Sequence, residues 1–157
     1  MIIFLQPHAE INLNNLINNY SIIQNEVGEC KVMGVIKADA YGHGAVPIAK
    51  SLSKTAIYGF CVALINEIIE LREHGIIKPI LHLGKFSSEY LHIFDSNTLC
   101  TINSLDDIAA IENYYIKTGL QISAHVKFDT GMGRMGFHYS DAENVLAKIK
   151  KIDGINL

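Results

Sequence analysis

Short apolar runs alternate along this chain with longer segments whose apolar residues recur at helical spacing, and this alternation restricts the fold more than any other feature. Leu13, Leu16, Ile17, Tyr20, Ile23 and Val27 set a first helix, with Asn12 placed to cap it and Gly28 to end it. Strands are expected over 32–36, 57–62, 80–83, 99–102 and 122–128. Further helices are expected over 44–52, 64–73 and 88–94, then onward from Ser104 to Lys117 and from Ser140 through Lys150. Ser104 with Asp107, and Ser140 with Glu143, have the spacing of capping boxes. Such alternation, with both faces of the early strands apolar, indicates a parallel sheet covered by helices.

A doubly wound sheet and a barrel both satisfy that pattern, and the fifth strand separates them. Ser123, His125, Lys127 and Asp129 fall on one face, while Ala124, Val126 and Phe128 fall on the other. A polar face on a strand otherwise buried needs a lined cavity, which a barrel mouth supplies. In barrels of this kind catalytic groups sit at the carboxyl ends of strands. The expected fold class is α/β, the amino-terminal portion of a (β/α)8 TIM barrel. A full barrel takes about 250 residues. The 157 here supply about five of the eight βα units, with Asp153 and Gly154 turning toward a sixth strand. The chain is therefore expected to be one incomplete barrel domain over 1–157, shortened from a longer form.

Composition removes several function classes. The net charge is −3 with no run of lysines or arginines, so there is no basic patch for nucleic acid and no polybasic membrane segment. No apolar run approaches membrane-spanning length, and the opening Met1-Ile2-Ile3-Phe4-Leu5, with Pro7 after it, is too short for a signal-peptide core. A cytoplasmic protein is expected. Cys30, Cys61 and Cys100 are widely spaced and lie in or beside apolar runs, so buried free thiols are expected. The seven histidines show no paired ligand spacing, which argues against a metal centre. Gly131-Met132-Gly133-Arg134-Met135-Gly136 satisfies the dinucleotide fingerprint, but no helix opens directly after it, so it is set aside.

The chemistry concentrates in Val35-Ile36-Lys37-Ala38-Asp39-Ala40-Tyr41-Gly42-His43-Gly44. A buried strand ends there on a lysine. Burial disfavours the cation, and a neutral amine at such a place suits imine chemistry. Gly42 and Gly44 permit a tight turn, His43 supports it, and Tyr41 adds a hydroxyl able to hold a polar group such as a phosphate.

This segment resembles the cofactor-attachment site of the alanine racemase family, which reads close to V-x-K-A-(D or N)-A-Y-G-H-G. A second segment, from Lys127-Phe128-Asp129-Thr130-Gly131-Met132 to Gly133-Arg134-Met135-Gly136-Phe137, is similar to that family's K-x-D-T-G-M-x-R-x-G-F. Weaker likenesses lie at Ala9-Glu10-Ile11-Asn12-Leu13 and at Glu70-Leu71-Arg72-Glu73-His74-Gly75-Ile76, so the likeness runs the whole chain in the family's order.

The resemblance implies a pyridoxal 5'-phosphate enzyme that interconverts L- and D-alanine, providing D-alanine for peptidoglycan. It implies that Lys37 carries the cofactor in an imine linkage and moves the α-proton on one face. It implies that Tyr41 contacts the cofactor phosphate, and that Arg134 binds around the cofactor's phenolic oxygen and the substrate carboxylate. Lys127 matches a lysine carbamylated in many members, whose anion would steady Arg134; pairing of Lys127 with Asp129 is the alternative. The resemblance also implies a homodimer at full length. The family's second base, its phosphate cup and its carboxy-terminal β domain have no counterpart in the residues here. A racemase or decarboxylase of the same barrel type for another amino acid, and a non-catalytic pyridoxal-phosphate-binding remnant, stay open.

Overall fold

The structure, a computed structural model, describes residues 9–157; the opening segment weighed as a leader lies outside them. Helix α1 (Leu13–Val27) starts where Asn12 Oδ1 accepts from the amides of Asn14 and Asn15, and ends at Gly28 with φ 58°. Strand β1 (Met33–Val35) then leads into one short turn, α2 (Lys37–Gly42), and helix α3 (Ala45–Leu52). Strands β2 (Gly59–Val62), β3 (Ile80–His82) and β4 (Thr98–Ile102) follow, separated by α4 (Ile65–Glu73) and a 3-10 turn (Ser88–Ile93). Helix α5 (Leu105–Thr118) joins β4 to β5 (Ile122–Val126). A small pair, β6 (Phe128–Asp129) and β7 (Phe137–His138), precedes α6 (Ala142–Ile149) and β8 (Ile155–Asn156).

The main sheet has the order β1-β2-β3-β4-β5-β8 and is parallel throughout. The order never reverses. Right-handed crossovers in an unreversed order put every helix on one face, the winding of a barrel wall and not of a doubly wound sheet. Alternation along the strands agrees. Phe60, Val62, Ile80, Cys100, Ile102, Ile122 and Ala124 pack outward in one core with Ile48, Leu52, Ile68, Leu71, Ile108, Ile111, Val145 and Ile149 of the helices. The opposite face carries Val35, Cys61, Leu81 and Leu99 in lateral register. Cys61 and Leu81 in the middle of that face are each only 7% exposed, whereas Val35 at the edge is 44% exposed.

Four local expectations are corrected. The segment 88–94 is a 3-10 turn and not an α-helix: Leu91 and Phe94, three apart, are both buried, and side chains at that spacing eclipse in a three-residue turn. The fifth strand stops at Val126, because the Lys127 amide makes the last rung to the Ile102 carbonyl (3.0 Å) and the chain then leaves to pair β6 with β7. The capping box at Ser140 does not form; the Ser140 hydroxyl meets His138 Nδ1 at 2.7 Å, a 3-10 turn (Tyr139–Asp141) intervenes, and α6 starts at Ala142. Cys30 is exposed, since it lies in the turn after α1, where its carbonyl accepts from Gln24 Nε2. Cys61 and Cys100 are buried as expected, and burial pushes the Cys100 thiol up to about 12. Among the described residues no helix is long and apolar enough to cross a membrane.

Candidate active site

Parity along the strands decides which side chains reach the concave face at its carboxyl end. Val35 lies on that face and Ile36, 3% exposed, packs into the helix-side core; β1 ends at Val35 and the chain turns at Ile36 with ψ 21°, so Lys37 stands just past the carboxyl end of the strand. The same alternation carries Ser123 and His125 there on β5, opposite the buried Ile122 and Ala124, and Lys127 follows directly after the strand's end. Lys37 and Lys127 are both half-buried, and His125 is exposed on the open face beside Thr101.

Lys37 opens a turn of the wrong hand. Ala38, Asp39, Ala40 and Tyr41 have φ between 51° and 58° and ψ between 36° and 51°, a complete left-handed turn of non-glycine residues. L-residues in this region cost about 1–2 kcal/mol each, so the turn exists because its surroundings impose it. The Ala40 amide donates to the Ile36 carbonyl and Gly44 to Asp39, both at 2.9 Å. Asp39 Oδ1 accepts from the Ala45 amide at 2.6 Å, which caps α3. His43 Nδ1 lies 2.9 and 3.1 Å from the carbonyls of Ala40 and Tyr41, the supporting role expected of it. Ala40 is buried in the core, and Gly42 and Gly44 continue the positive φ at 81° and 89°. Tyr41 is left 60% exposed, its ring off the sheet.

Arg134 is exposed on the loop between β6 and β7. That loop is arranged by Asp129. Its Oδ1 accepts from the Gly131 amide at 2.8 Å, and the amides of Gly131, Gly133, Met132 and Arg134 hold its carboxyl below the usual range. One oxygen of the carboxylate is thus engaged by its own turn. Gly136, at φ 107°, lets Phe137 donate to the Lys127 carbonyl at 2.9 Å; a Cβ there would come within 2.8 Å of that oxygen. A strand and not a helix follows, as setting aside the dinucleotide fingerprint requires. Lys127 and Arg134 line one cavity of about 300 Å³ with Phe128, Asp129, Thr130, Met132 and Met135; Lys37 and Tyr41 are not among its walls. Sequence reading missed Glu67, which accepts from the Ala38 amide (2.5 Å) as well as from Ala63 and Leu64. Nothing local marks it except its place in the first turn of α4.

The chain is similar to known proteins over nearly its whole length. The model of the alanine racemase N-terminal domain matches residues 11–157. An alanine racemase 2 of Caldanaerobacter subterraneus subsp. tengcongensis is 37% identical over 152 residues, covering 95% of this chain and 39% of that protein. The alanine racemase of Clostridium difficile superposes with a TM-score of 0.86 at 38% identity, over 97% of this chain and 42% of that one. A histidine racemase of Leuconostoc mesenteroides subsp. sake superposes with a TM-score of 0.79 at 28% identity, over 91% of this chain and 39% of that one. The chain thus spans about two fifths of the length of the relatives it matches.

Proposed function

The chain belongs to the alanine racemase family, and from that premise we propose that it builds the cofactor-attachment half of a racemase site acting on alanine, with pyridoxal 5'-phosphate bound at Lys37. The donor set suits that group. A primary amine stands at the carboxyl end of β1, and a phenol and a guanidinium are exposed on the turns that follow β1 and β5, groups suited to an anionic, oxygen-rich ligand. When bound, pyridoxal phosphate supplies an electron sink that makes the α-proton of an attached amino acid labile.

Lys37 Nζ is the point of attachment and, once displaced by substrate, the group that takes or returns the α-proton on one face. The Tyr41 hydroxyl donates to the phosphate. Arg134 offers two parallel N–H donors to a carboxylate, which a lysine could not. Lys127 shares a cavity with Arg134, and two bare cations there would repel; carbamylation turns Lys127 into an anion that holds the guanidinium in place. The product, D-alanine, serves peptidoglycan, and at full length the protein works as a homodimer.

The observation that carries this reading is the place of Lys37, at the carboxyl end of β1 and the head of the left-handed turn, together with Lys127 and Arg134 lining one cavity past the end of β5. The test is racemisation of L- and D-alanine by the full-length protein with added pyridoxal phosphate, in parallel with borohydride reduction and peptide mapping. Lys37→Ala is expected to abolish turnover in both directions and to remove the label from the attachment peptide. Near-normal turnover in that variant would overturn the assignment. A second reading is favoured by the histidine racemase neighbour, in which this fold serves another amino acid. Label on Lys37 without alanine turnover would support that reading, or a pyridoxal-phosphate-binding role without catalysis.

A further inference from the structure

Glu67 and Asp107 occupy the same place, third in the first turn, of α4 and α5. At α5 the aspartate Oδ2 accepts from the amides of Asn103 and Ser104 at 2.8 and 3.1 Å. At α4 the glutamate Oε2 accepts from the amides of Ala63 and Leu64 at 2.8 and 2.9 Å. The two amides before each helix are satisfied alike, and α5, where the Ser104 hydroxyl adds a cap of its own, shows that an aspartate is long enough for the task. Glu67 has a methylene more. That extra length carries its other oxygen, Oε1, to the Ala38 amide, 2.5 Å away and 29 residues earlier in the chain. Ala38 is the first left-handed residue, directly after Lys37.

We propose that Glu67 is a positioning residue for Lys37: its Oε1 fixes the peptide that joins Lys37 to Ala38, and so the direction in which Lys37 leaves the sheet. The inference rests on the reading of Lys37 as the attachment residue. Left-handed L-residues tend back to the right-handed region, and the turn's remaining bonds act further along, at Asp39, Ala40 and His43. Among the described residues Glu67 alone holds the peptide next to the lysine by a side chain, and it ties that peptide to the start of a second βα unit.

The carboxylate has two acceptor oxygens for three donors, which makes substitution selective. Glutamine offers one oxygen and one NH2 group. Its oxygen is best used by the converging amides of Ala63 and Leu64, which leaves its NH2 facing the Ala38 N–H, donor against donor. Glu67→Gln therefore releases Ala38 by chemistry, and Glu67→Asp releases it by reach, as Asp107 illustrates. Both variants keep α4 capped.

The experiment measures amide hydrogen exchange at single-residue resolution on the whole chain. It also measures the distribution of pyridoxal-phosphate label after borohydride reduction, with the exposed Lys50 and Lys54 as internal references. Ala38 is expected to exchange about tenfold faster or more in both variants, while Ala63 and Leu64 stay within about threefold of the unaltered protein. The share of label on Lys37 is expected to fall about threefold or more against the reference lysines. Unchanged exchange at Ala38 would show that no clamp exists. Faster exchange with an unchanged share of label would show that Glu67 is structural only. A Lys37 no more reactive than Lys50 in the unaltered protein would overturn the attachment reading, and with it the positioning role, while exchange at Ala38 still decides the clamp. If Glu67→Gln loosens the whole fold, Glu67→Asp alone carries the comparison.

Discussion

The imidazole of His82 stands on β3 with 1% of its surface exposed and no hydrogen-bond partner for its Nδ1. It lies 5.8 Å from the Phe94 ring. Burial holds its pKa below the usual histidine value; the Ala63 carbonyl and the charge of Glu67 pull weakly the other way. The unfolded chain takes up this proton as pH falls through about 6.5, whereas the folded protein resists it until lower pH. In that interval the unfolded state binds more protons, so stability is lost as pH falls and is fully present above the unfolded value. The slope from this one group approaches about 1.4 kcal/mol per pH unit. Imidazole resonances followed by NMR are expected to show His82 charging only below the usual histidine value. The fall in urea midpoint from pH 7 to pH 5 is expected to be smaller in His82→Gln. An equal fall in both proteins would remove His82 from the account.

Arg72 does for the elements what His82 does not: it binds them together. From the last turn of α4 its Nη1 donates to the carbonyls of Ile76 and Lys78 at 2.7 and 2.8 Å. Its Nη2 donates to the Asn97 carbonyl and the Thr98 hydroxyl at 2.8 and 3.0 Å. One planar fork thus joins a helix end to the lead-in segments of β3 and β4, where Ile80 donates to Asn97 at 3.0 Å. Removing the guanidinium leaves the Ile76 and Lys78 carbonyls without that donor, at about 1–3 kcal/mol for such a group. Arg72→Ala is expected to speed exchange of the Ile80 amide about a hundredfold. Arg72→Lys should recover only part of that, because an ammonium lacks the fork. Equal protection in all three proteins would show that the network carries no stability. The left-handed turn is the other element-scale device, and it was not legible. Gly42 and Gly44 signal positive φ, but Ala38, Asp39, Ala40 and Tyr41 have side chains that disfavour it. The Glu67, Ile36 and Ala45 bonds that enforce it come from outside the turn.

At the scale of the molecule the sheet ends twice. Among the described residues β1 pairs only with β2, and β8 only with β5. Beside β1, Ile11, Leu16, Tyr20, Ile23, Val35 and Leu52 border an apolar cavity of about 380 Å³. Ile22 and Ile23 on α1 are 61% and 51% exposed. Unpaired strand edges next to apolar surface are templates for association. Residues 1–157 prepared alone are expected to associate with rising concentration and to bind a hydrophobic dye. A dye-silent monomer with a sharp cooperative melt would contradict this.

What the sequence determined by itself is what periodicity and local chemistry can encode. The order of the first five strands and of α1, α3, α4, α5 and α6, the Asn12 cap, the Ser104–Asp107 box and the two family segments around Lys37 and Arg134 were readable in it; the short α2 and the β6–β7 pair were not. So was the polar face of β5, since a two-residue period is a property of the strand alone. Tertiary structure decided the rest. It fixed the unreversed strand order that separates a barrel wall from a doubly wound sheet, which depends on pairing between segments distant in sequence. It ended β5 at Val126, where the Ile102 carbonyl makes its last rung. It also gave Glu67 a third amide, because a hydrogen bond across 29 residues leaves no mark in either neighbourhood until the fold brings the two together.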